Sequence, residues 1–190
     1  LEGEPDLCMK DSDGDGYGDT RPVRASVDKG TDCNDDSANI NPDVDERCDG
    51  EDNDCDGLID DEDIDPIDVS VWYPDDDGDG HGDFRRSALL ACEAPPNYVA
   101  DDSDCDDGDA NTYPGAAQSE VNPACHRDSD DDGFGDANPT VADVVAGTDC
   151  DDGNVAVNSE ASEVCDGFDN DCDGLVDYDD GDIDIDPTNL

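Results

Sequence analysis

Acidic side chains at alternate positions form a calcium-loop pattern twice in this chain. In the first copy, Asp52, Asp54 and Asp56 occupy loop positions 1, 3 and 5, and Gly57 occupies the turn position that follows. The second copy begins at Asp169 and keeps the same glycine, apolar and acidic offsets. This spacing suits Ca²⁺, which takes six to eight oxygen ligands at about 2.3–2.6 Å from a tightly wrapped backbone. A solvated acidic loop is the alternative interpretation, and the agreement between two copies favours the metal site.

Three further loops have the same alternation of carboxylates but lack an acidic residue at position 12. They begin at Asp11, Asp75 and Asp128. A carboxylate from elsewhere in the chain must therefore complete each coordination shell. We predict that the residue directly before a cysteine supplies it, which gives Asp32, Asp104 and Asp149.

The full predicted ligand set combines these carboxylates with the backbone carbonyls at loop position 7. His81 is one of the carbonyl donors, so its imidazole is predicted to point outward. The predicted metal ligands are Asp11, Asp13, Asp15, Tyr17, Asp19, Asp32, Asp35, Glu46, Asp52, Asp54, Asp56, Leu58, Asp60, Asp63, Asp75, Asp77, Asp79, His81, Asp83, Asp104, Asp107, Asp128, Asp130, Asp132, Phe134, Asp136, Asp149, Asp152, Glu163, Asp169, Asp171, Asp173, Leu175, Asp177 and Asp180.

The composition is that of a chain that cannot fold by hydrophobic burial alone. Of 190 residues, 59 are Asp or Glu and only 8 are Lys or Arg, which gives a formal net charge of −51. Leu, Ile, Val and Phe together number 30, a fraction typical of intrinsically disordered sequences. Bound cations and disulfides are the means that remain to order such a chain. We expect multiple Ca²⁺ ions; if roughly 8–12 were bound, they would neutralise about 16–24 of the negative charges.

The charge and the cysteines also restrict partners and compartment. The acidity argues against nucleic acid and anionic membranes as partners, and no apolar run approaches transmembrane length. Ten cysteines predict an oxidising compartment. Zinc would be the competing use of cysteine, but a Cys-x6-Cys spacing and only two histidines fit zinc poorly. The chain opens at Leu1, which suggests a mature or excised piece.

The cysteines recur at a constant spacing of 117 residues, which indicates an internal repeat. The related pairs are Cys8 and Cys125, Cys33 and Cys150, Cys48 and Cys165, and Cys55 and Cys172. The sequence between them contains one more loop but no Cys-x6-Cys element. We therefore predict three calcium-binding modules in tandem, at 1–66, 67–122 (truncated) and 123–190.

The repeat also suggests how the cysteines pair. The middle module lacks both cysteines of the Cys-x6-Cys element at once, as expected if those two bond each other. It gains Cys92 while it keeps Cys105, which suggests a second pair. The predicted disulfides use all ten cysteines: Cys8–Cys33, Cys48–Cys55, Cys92–Cys105, Cys125–Cys150 and Cys165–Cys172.

Regular secondary structure should be sparse, because Gly, Pro, Asp and Asn interrupt every segment. One short strand or helical turn each is predicted at 70–73, 88–91 and 141–145. The aromatic residues are predicted to be the few packing anchors of a thin core rather than a sugar-stacking face. These are Tyr17, Trp72, Tyr73, Phe84, Phe134, Phe168 and Tyr178.

Several of these motifs together resemble the MopE-type metal-binding repeat of bacterial secreted and surface proteins. They are Tyr73-Pro74-Asp75, Asp104-Cys105-Asp106-Asp107, Tyr113-Pro114-Gly115 and the run from Cys165 to Gly174. The aspartate loops also resemble thrombospondin type 3 repeats, and the loops at Asp52 and Asp169 resemble dockerin calcium loops. The resemblance implies calcium binding in an extracellular or cell-surface setting, and it assigns no single activity. By analogy with copper-binding relatives, a soft-metal site at His81, His126 or Trp72 is an alternative that the surrounding carboxylates disfavour.

The sequence thus predicts an elongated calcium-bound repeat array that acts as a rigid spacer, a stalk or a fibre subunit. The alternatives are a metal scavenger, a module that binds cell-surface glycans and, least favoured, a calcium-dependent hydrolase. An enzyme is not expected, because carboxylates engaged on Ca²⁺ have no proton to transfer. Apolar residues near the termini predict end-to-end packing of chains into a filament. These are Leu7, Ile183, Ile185 and Leu190.

Overall fold

The computed structural model describes residues 8–179, and most of them lie in turns and irregular segments. The sequence prediction of disulfide-rich, mostly irregular modules with little helix is confirmed. The strands are β1 (Ser70–Pro74), β2 (Leu89–Ala91), β3 (Tyr98–Val99), β4 (Thr112–Pro114) and β5 (Cys125–Arg127), and 3₁₀ turns lie at Asp60–Glu62 and Asp177–Asp179. The predicted ligand Asp180 and the apolar residues Leu7, Ile183, Ile185 and Leu190 lie outside the described residues.

Two small sheets are formed by these strands. One has the order β2-β1-β3, and the other pairs β4 with β5. β1 and β3 are antiparallel, with Tyr73 opposite Val99. β4 and β5 are also antiparallel, with Pro114 opposite Cys125. Two of the predicted short elements are therefore real, as β1 and β2, whereas 141–145 forms neither a strand nor a helix.

The described chain divides into two compact units. The first contains the residues up to Val71 together with Leu89–Pro95, and the second contains Trp72–Ala88 together with the residues from Pro96 onward. Two aspartate loops lie in the first unit, and three lie in the second. The division of the sequence into three modules stays a prediction, since a sequence repeat and a compact unit need not coincide.

The buried centre of each unit is small and holds more polar than apolar side chains. Tyr17 and Ile40 are buried in the first unit, and Phe134 and Val157 are buried 117 residues later in the second. Phe84 and Phe168 are more than half exposed, so the prediction that they anchor a core is wrong. The side chain of Tyr178 lies outside the described set. Buried carboxylates and amides, rather than hydrocarbon, occupy most of the interior.

The disulfide pairing differs from every predicted pair. The bonds are Cys33–Cys55, Cys48–Cys92, Cys105–Cys125 and Cys150–Cys172, and Cys8 and Cys165 are free and exposed. The prediction assumed that the two cysteines of the Cys-x6-Cys element bond each other because the middle module lacks both of them.

The backbone explains the correction. In the first unit the Asn41 N–H donates to the Asn53 carbonyl at 2.9 Å, which folds the Asp52 loop back onto the segment after Asp32. Cys55 thereby meets Cys33, with 5.6 Å between their Cα atoms. The same hydrogen bond recurs between Asn158 and Asn170 in the second unit.

Close backbone contact between paired glycines supports two of the loops. A Cβ atom added to Gly30 would lie 2.0 Å from the Gly18 carbonyl oxygen, and one added to Gly147 would lie 2.2 Å from that of Gly135. These contacts let two extended segments lie side by side, and the Gly147 N–H donates to the Asp136 carbonyl at 2.9 Å.

We expect Gly147→Ala to destabilise the folded protein by about 2–3 kcal/mol, because the clash is with backbone that cannot rotate away. Gly153→Ala is the matched control, since the Cβ atom there meets only a carboxylate oxygen at 3.9 Å. Urea unfolding followed by circular dichroism measures both variants. Equal midpoints for the two would contradict the role of this contact.

Candidate metal centres

The loops at Asp11, Asp75 and Asp128 are each built by carboxylates that accept backbone hydrogen bonds. The carboxylate at position 1 accepts with both of its oxygens, whereas those at positions 3 and 5 each accept with one. In the first loop, the Gly14 N–H donates to Asp11 Oδ1 at 2.7 Å, and the Tyr17 N–H donates to Asp15 Oδ1 at 2.8 Å. Gly16 has a φ of 100°, the left-handed conformation that the turn position requires. These bonds curl the backbone, and they leave the Oδ2 atoms of Asp13 and Asp15 buried without a hydrogen-bond partner.

A distant carboxylate enters each of these three loops, and its predicted role as a metal ligand stays a prediction. In the first loop, the Asp32 N–H donates to the Gly18 carbonyl at 2.9 Å, and the Thr20 N–H donates to the Asp32 carbonyl at 2.8 Å. The equivalent N–H groups of Asp104 and Asp149 donate to the Gly82 and Gly135 carbonyls. The side chains of Asp32, Asp104 and Asp149 are fully buried.

Oxygens without a hydrogen-bond partner converge inside these loops. Each entering aspartate uses Oδ1 to accept a backbone N–H, as Asp32 does from Asn34 at 2.7 Å. Its Oδ2 is buried without a partner. The described residues with such an orphaned carboxylate oxygen are Asp13, Asp15, Asp32, Asp52, Asp77, Asp79, Asp104, Asp130, Asp149 and Asp169. Buried anionic oxygens are costly unless something positive compensates them. The arrangement therefore fits a bound cation in the loops at Asp11, Asp75 and Asp128, which each hold two or more such oxygens, whereas the loops at Asp52 and Asp169 each hold one.

The pKa values of the three entering aspartates are raised, mainly because their carboxyl groups are buried. Burial, together with the facing carboxylates of Asp79 and Asp77, raises the pKa of Asp104 to about 6. Burial likewise raises the pKa of Asp149 to about 7, with contributions from Asp132 and Asp130. The pKa of Asp32 is also raised by burial. A divalent cation among these oxygens would reverse the effect by favouring the ionised form.

A second carboxylate follows each entering aspartate by three residues and is paired with a basic side chain. Asp35 accepts from the Ser12 N–H at 2.9 Å and forms an ion pair with Lys10. Asp107 pairs with Arg86 at 2.7 Å, and Asp152 pairs with Arg127 at 3.0 Å. Burial raises the pKa of Asp35, but hydrogen bonds from Lys10 and Ser12 outweigh burial and hold it below its ordinary value.

These basic partners were missed by sequence reasoning. Lys10 and Arg127 are 117 residues apart, and that spacing is the signal that could have identified them. The predicted ligands Asp35, Asp107 and Asp152 therefore each share their charge with a basic side chain.

The two Cys-Asp-Gly loops are organised differently, around a buried glutamate. Glu46 accepts the Asn53 N–H at 2.8 Å with one oxygen and the Asp60 N–H at 2.9 Å with the other. Ligand atoms of Glu46, Asp52 and Asp54 lie within 4.8 Å of one another. Asp60 is also used in the scaffold, since its Oδ1 accepts the Gly50 N–H at 3.0 Å.

The second copy reproduces this arrangement. Glu163 accepts the N–H groups of Asn170 at 2.8 Å and Asp177 at 2.7 Å. Asp54, Asp56 and Asp63 form a further carboxylate group in the first copy. The backbone carbonyls predicted as ligands at Tyr17, Leu58, His81, Phe134 and Leu175 stay predictions.

One known family matches three segments of the chain, and each segment follows the first aspartate loop of a predicted module. The family model Cu-binding_MopE, described as a "putative metal-binding motif", matches residues 32–61, 104–124 and 149–178. The chain carries three MopE-type metal-binding motifs. Each motif begins at the aspartate that enters the preceding loop, so the MopE-type motif and the loop before it share one buried centre. No curated protein and no solved structure matches the chain.

The name of the MopE-type motif refers to copper, for which histidine nitrogens would be suitable ligands. The histidine ring nitrogens of this chain instead contact other protein groups. The ring nitrogens of His126 face the carbonyl oxygens of Val145 at 2.9 Å and Asn122 at 3.1 Å, and the side chain is buried. The His81 ring lies against Tyr113, and its Nδ1 is within 2.9 Å of Ser103 Oγ. The imidazole thus packs against a neighbouring segment, and its orientation relative to a bound ion stays a prediction. Both histidines are engaged with other protein groups.

No helix among residues 8–179 has the length and apolar character needed to cross a membrane. The carboxylate oxygens described above are the candidate metal ligands, and they lie in five loops along the chain.

Proposed function

We propose that this chain is a calcium-binding structural protein whose MopE-type modules are ordered by Ca²⁺ rather than by a hydrophobic core. The observation that carries the proposal is the set of buried carboxylate oxygens that have no hydrogen-bond partner and lie inside the aspartate loops. Hard oxygen donors in flexible loops are the ligands of Ca²⁺, whereas copper prefers imidazole or sulfur.

A structural role follows from where these oxygens lie. They occupy the buried centre of each loop, so the ion would substitute for the core that the composition cannot supply. We propose that the loaded modules form an elongated, rigid array outside the cell, as a spacer, a stalk or a subunit of a surface fibre. Four disulfides within the described chain support an oxidising setting.

Metal identity tests this proposal directly. The protein is loaded with Ca²⁺, dialysed against metal-free buffer at pH 7.5 and analysed by native mass spectrometry. We expect about five or more Ca²⁺ ions per chain to remain bound, and equimolar Cu²⁺ should not displace them. Asp32→Asn should lose one ion, whereas Asp36→Asn, at an exposed carboxylate four residues away, should lose none.

Stoichiometric replacement of Ca²⁺ by Cu²⁺, with a visible absorption band, would overturn the calcium proposal. Complete loss of the ions in dialysis with the circular dichroism spectrum retained would instead favour metal scavenging. Binding of a soluble glycan to the loaded protein, or hydrolysis of one, would favour the adhesion or enzyme alternatives.

A further inference from the structure

Two thiols are left over when the cysteines are paired. All ten cysteines lie within residues 8–179, eight are bonded, and Cys8 and Cys165 are exposed and free. Each of the two has a repeat counterpart 117 residues away that is bonded: Cys125 for Cys8, and Cys48 for Cys165.

One backbone hydrogen bond recurs at Cys8 and at Cys125. The Cys8 carbonyl accepts the Asp28 N–H at 3.1 Å, and the Cys125 carbonyl accepts the Val145 N–H at 2.8 Å. Asp28 and Val145 are themselves 117 residues apart. Cys125 is bonded to Cys105, which precedes it in the chain and lies in the predicted module 67–122. In its one bonded copy, this repeat position therefore bonds backward along the chain.

Cys165 likewise shares its surroundings with Cys48. The Asn53 side chain accepts the Arg47 N–H at 2.8 Å next to Cys48. The Asn170 side chain accepts the Val164 N–H at 3.0 Å next to Cys165. Cys48 is bonded to Cys92, which follows it in the chain and lies in the predicted module 67–122. In its one bonded copy, this repeat position therefore bonds forward along the chain.

The remaining bonds follow a simple rule. Cys33–Cys55 and Cys150–Cys172 each close within one repeat, and one bond joins each pair of consecutive repeats. Of the two free cysteines, Cys165 therefore occupies the forward-bonding position and Cys8 occupies the backward-bonding position.

We propose that Cys165 of one chain forms a disulfide with Cys8 of a second copy, which links copies covalently from head to tail. Each chain contributes one thiol of each direction, so the contact is heterologous and propagates. This inference extends the proposed fibre role, but it does not depend on which cation fills the loops.

The bond forms by oxidation of the two thiols. Together they lose two protons and two electrons to give one S–S bond. The electrons reduce a low-molecular-weight disulfide, such as oxidised glutathione, to two thiols through a mixed-disulfide intermediate. Both partners are exposed, so this exchange needs no unfolding of the loops.

The test uses calcium-loaded protein in a buffer of reduced and oxidised glutathione. Wild-type protein should give a ladder of covalent oligomers on non-reducing electrophoresis, and a reductant should collapse the ladder to monomer. Cys8→Ser and Cys165→Ser should each stay monomeric. An equimolar mixture of the two variants should give a dimer and nothing larger, with a Cys8–Cys165 peptide identified by mass spectrometry.

Three results would overturn the inference. The variant mixture could stay monomeric, a single variant could dimerise as well as the mixture does, or wild type could close a Cys8–Cys165 bond within one chain. Alkylation of the native wild-type protein gives a check that needs no variant, because it should modify Cys8 and Cys165 alone and block the ladder. Calcium binding by the doubly substituted protein separates the two proposals: its loss would contradict the proposed function, and its retention leaves the linkage to be judged by the ladder.

Discussion

Removal of Ca²⁺ at neutral pH is expected to abolish the ordered structure of this protein while its disulfides stay intact. Each site filled at 100 to 1,000 times its dissociation constant stabilises the folded state by about 3–4 kcal/mol. Five such sites would together exceed the roughly 5–15 kcal/mol net stability of an ordinary domain. Near- and far-ultraviolet circular dichroism should both change cooperatively when excess EDTA is added, and added Ca²⁺ should restore them.

The pH dependence of the metal-free chain has a defined sign. Asp104 and Asp149 have folded pKa values raised to about 6 and about 7 from an ordinary value of 3.8. Their contribution to stability is therefore present below about pH 4 and is lost as the pH rises through 6 to 7. Metal-free protein prepared by dialysis should retain more structure near pH 4 than at pH 8. A dichroism spectrum that EDTA leaves unchanged at pH 8 would contradict the calcium framework.

Asp149→Asn is expected to have opposite effects on the two forms of the protein. In the calcium-loaded form it removes one anionic ligand from a buried centre and should weaken binding at that loop by roughly 10–100-fold or more. In the metal-free form it replaces a buried carboxyl group, whose pKa is raised, with a neutral amide. The loss of structure with rising pH should therefore begin at a higher pH than in the wild-type protein. Calorimetric titration with Ca²⁺ and a pH titration by circular dichroism measure the two effects.

A matched substitution controls for general damage to the segment. Asp151→Asn removes a carboxylate two residues away that is exposed, and it should leave both measurements at their wild-type values. If Asp149→Asn destabilises both forms alike, its role is only to support the fold, and the ligand assignment is wrong.

The loops and their entering carboxylates could be predicted from the sequence because local spacing specifies them. Alternating aspartates with a glycine determine the turn whatever lies around it. The missing position-12 acid at Asp11 showed that another carboxylate was needed, and the structure brings Asp32 to that place through backbone bonds to Gly18 and Thr20. The metal-ligand role of each residue remains a prediction.

The disulfides could not be predicted, because they depend on how distant segments meet. Cys55 lies close to Cys48 in sequence, yet the hydrogen bond between Asn41 and Asn53 turns it toward Cys33. The two-residue strand β3 and the three-residue strands β4 and β5 were also missed. A strand of two or three residues is too short to show an alternating pattern.

An aspartate that enters a loop is followed directly by a bonded cysteine in all three cases: Asp32 by Cys33, Asp104 by Cys105 and Asp149 by Cys150. Ion binding and sulfur oxidation therefore constrain the same peptide unit, and the two equilibria must be linked reciprocally. If the proposed calcium binding holds, Ca²⁺ would make each of these bonds harder to reduce, and each bond would in turn raise the affinity for Ca²⁺. On the proposed extracellular role, transfer from a reducing, calcium-poor medium to an oxidising, calcium-rich one would then favour both changes together.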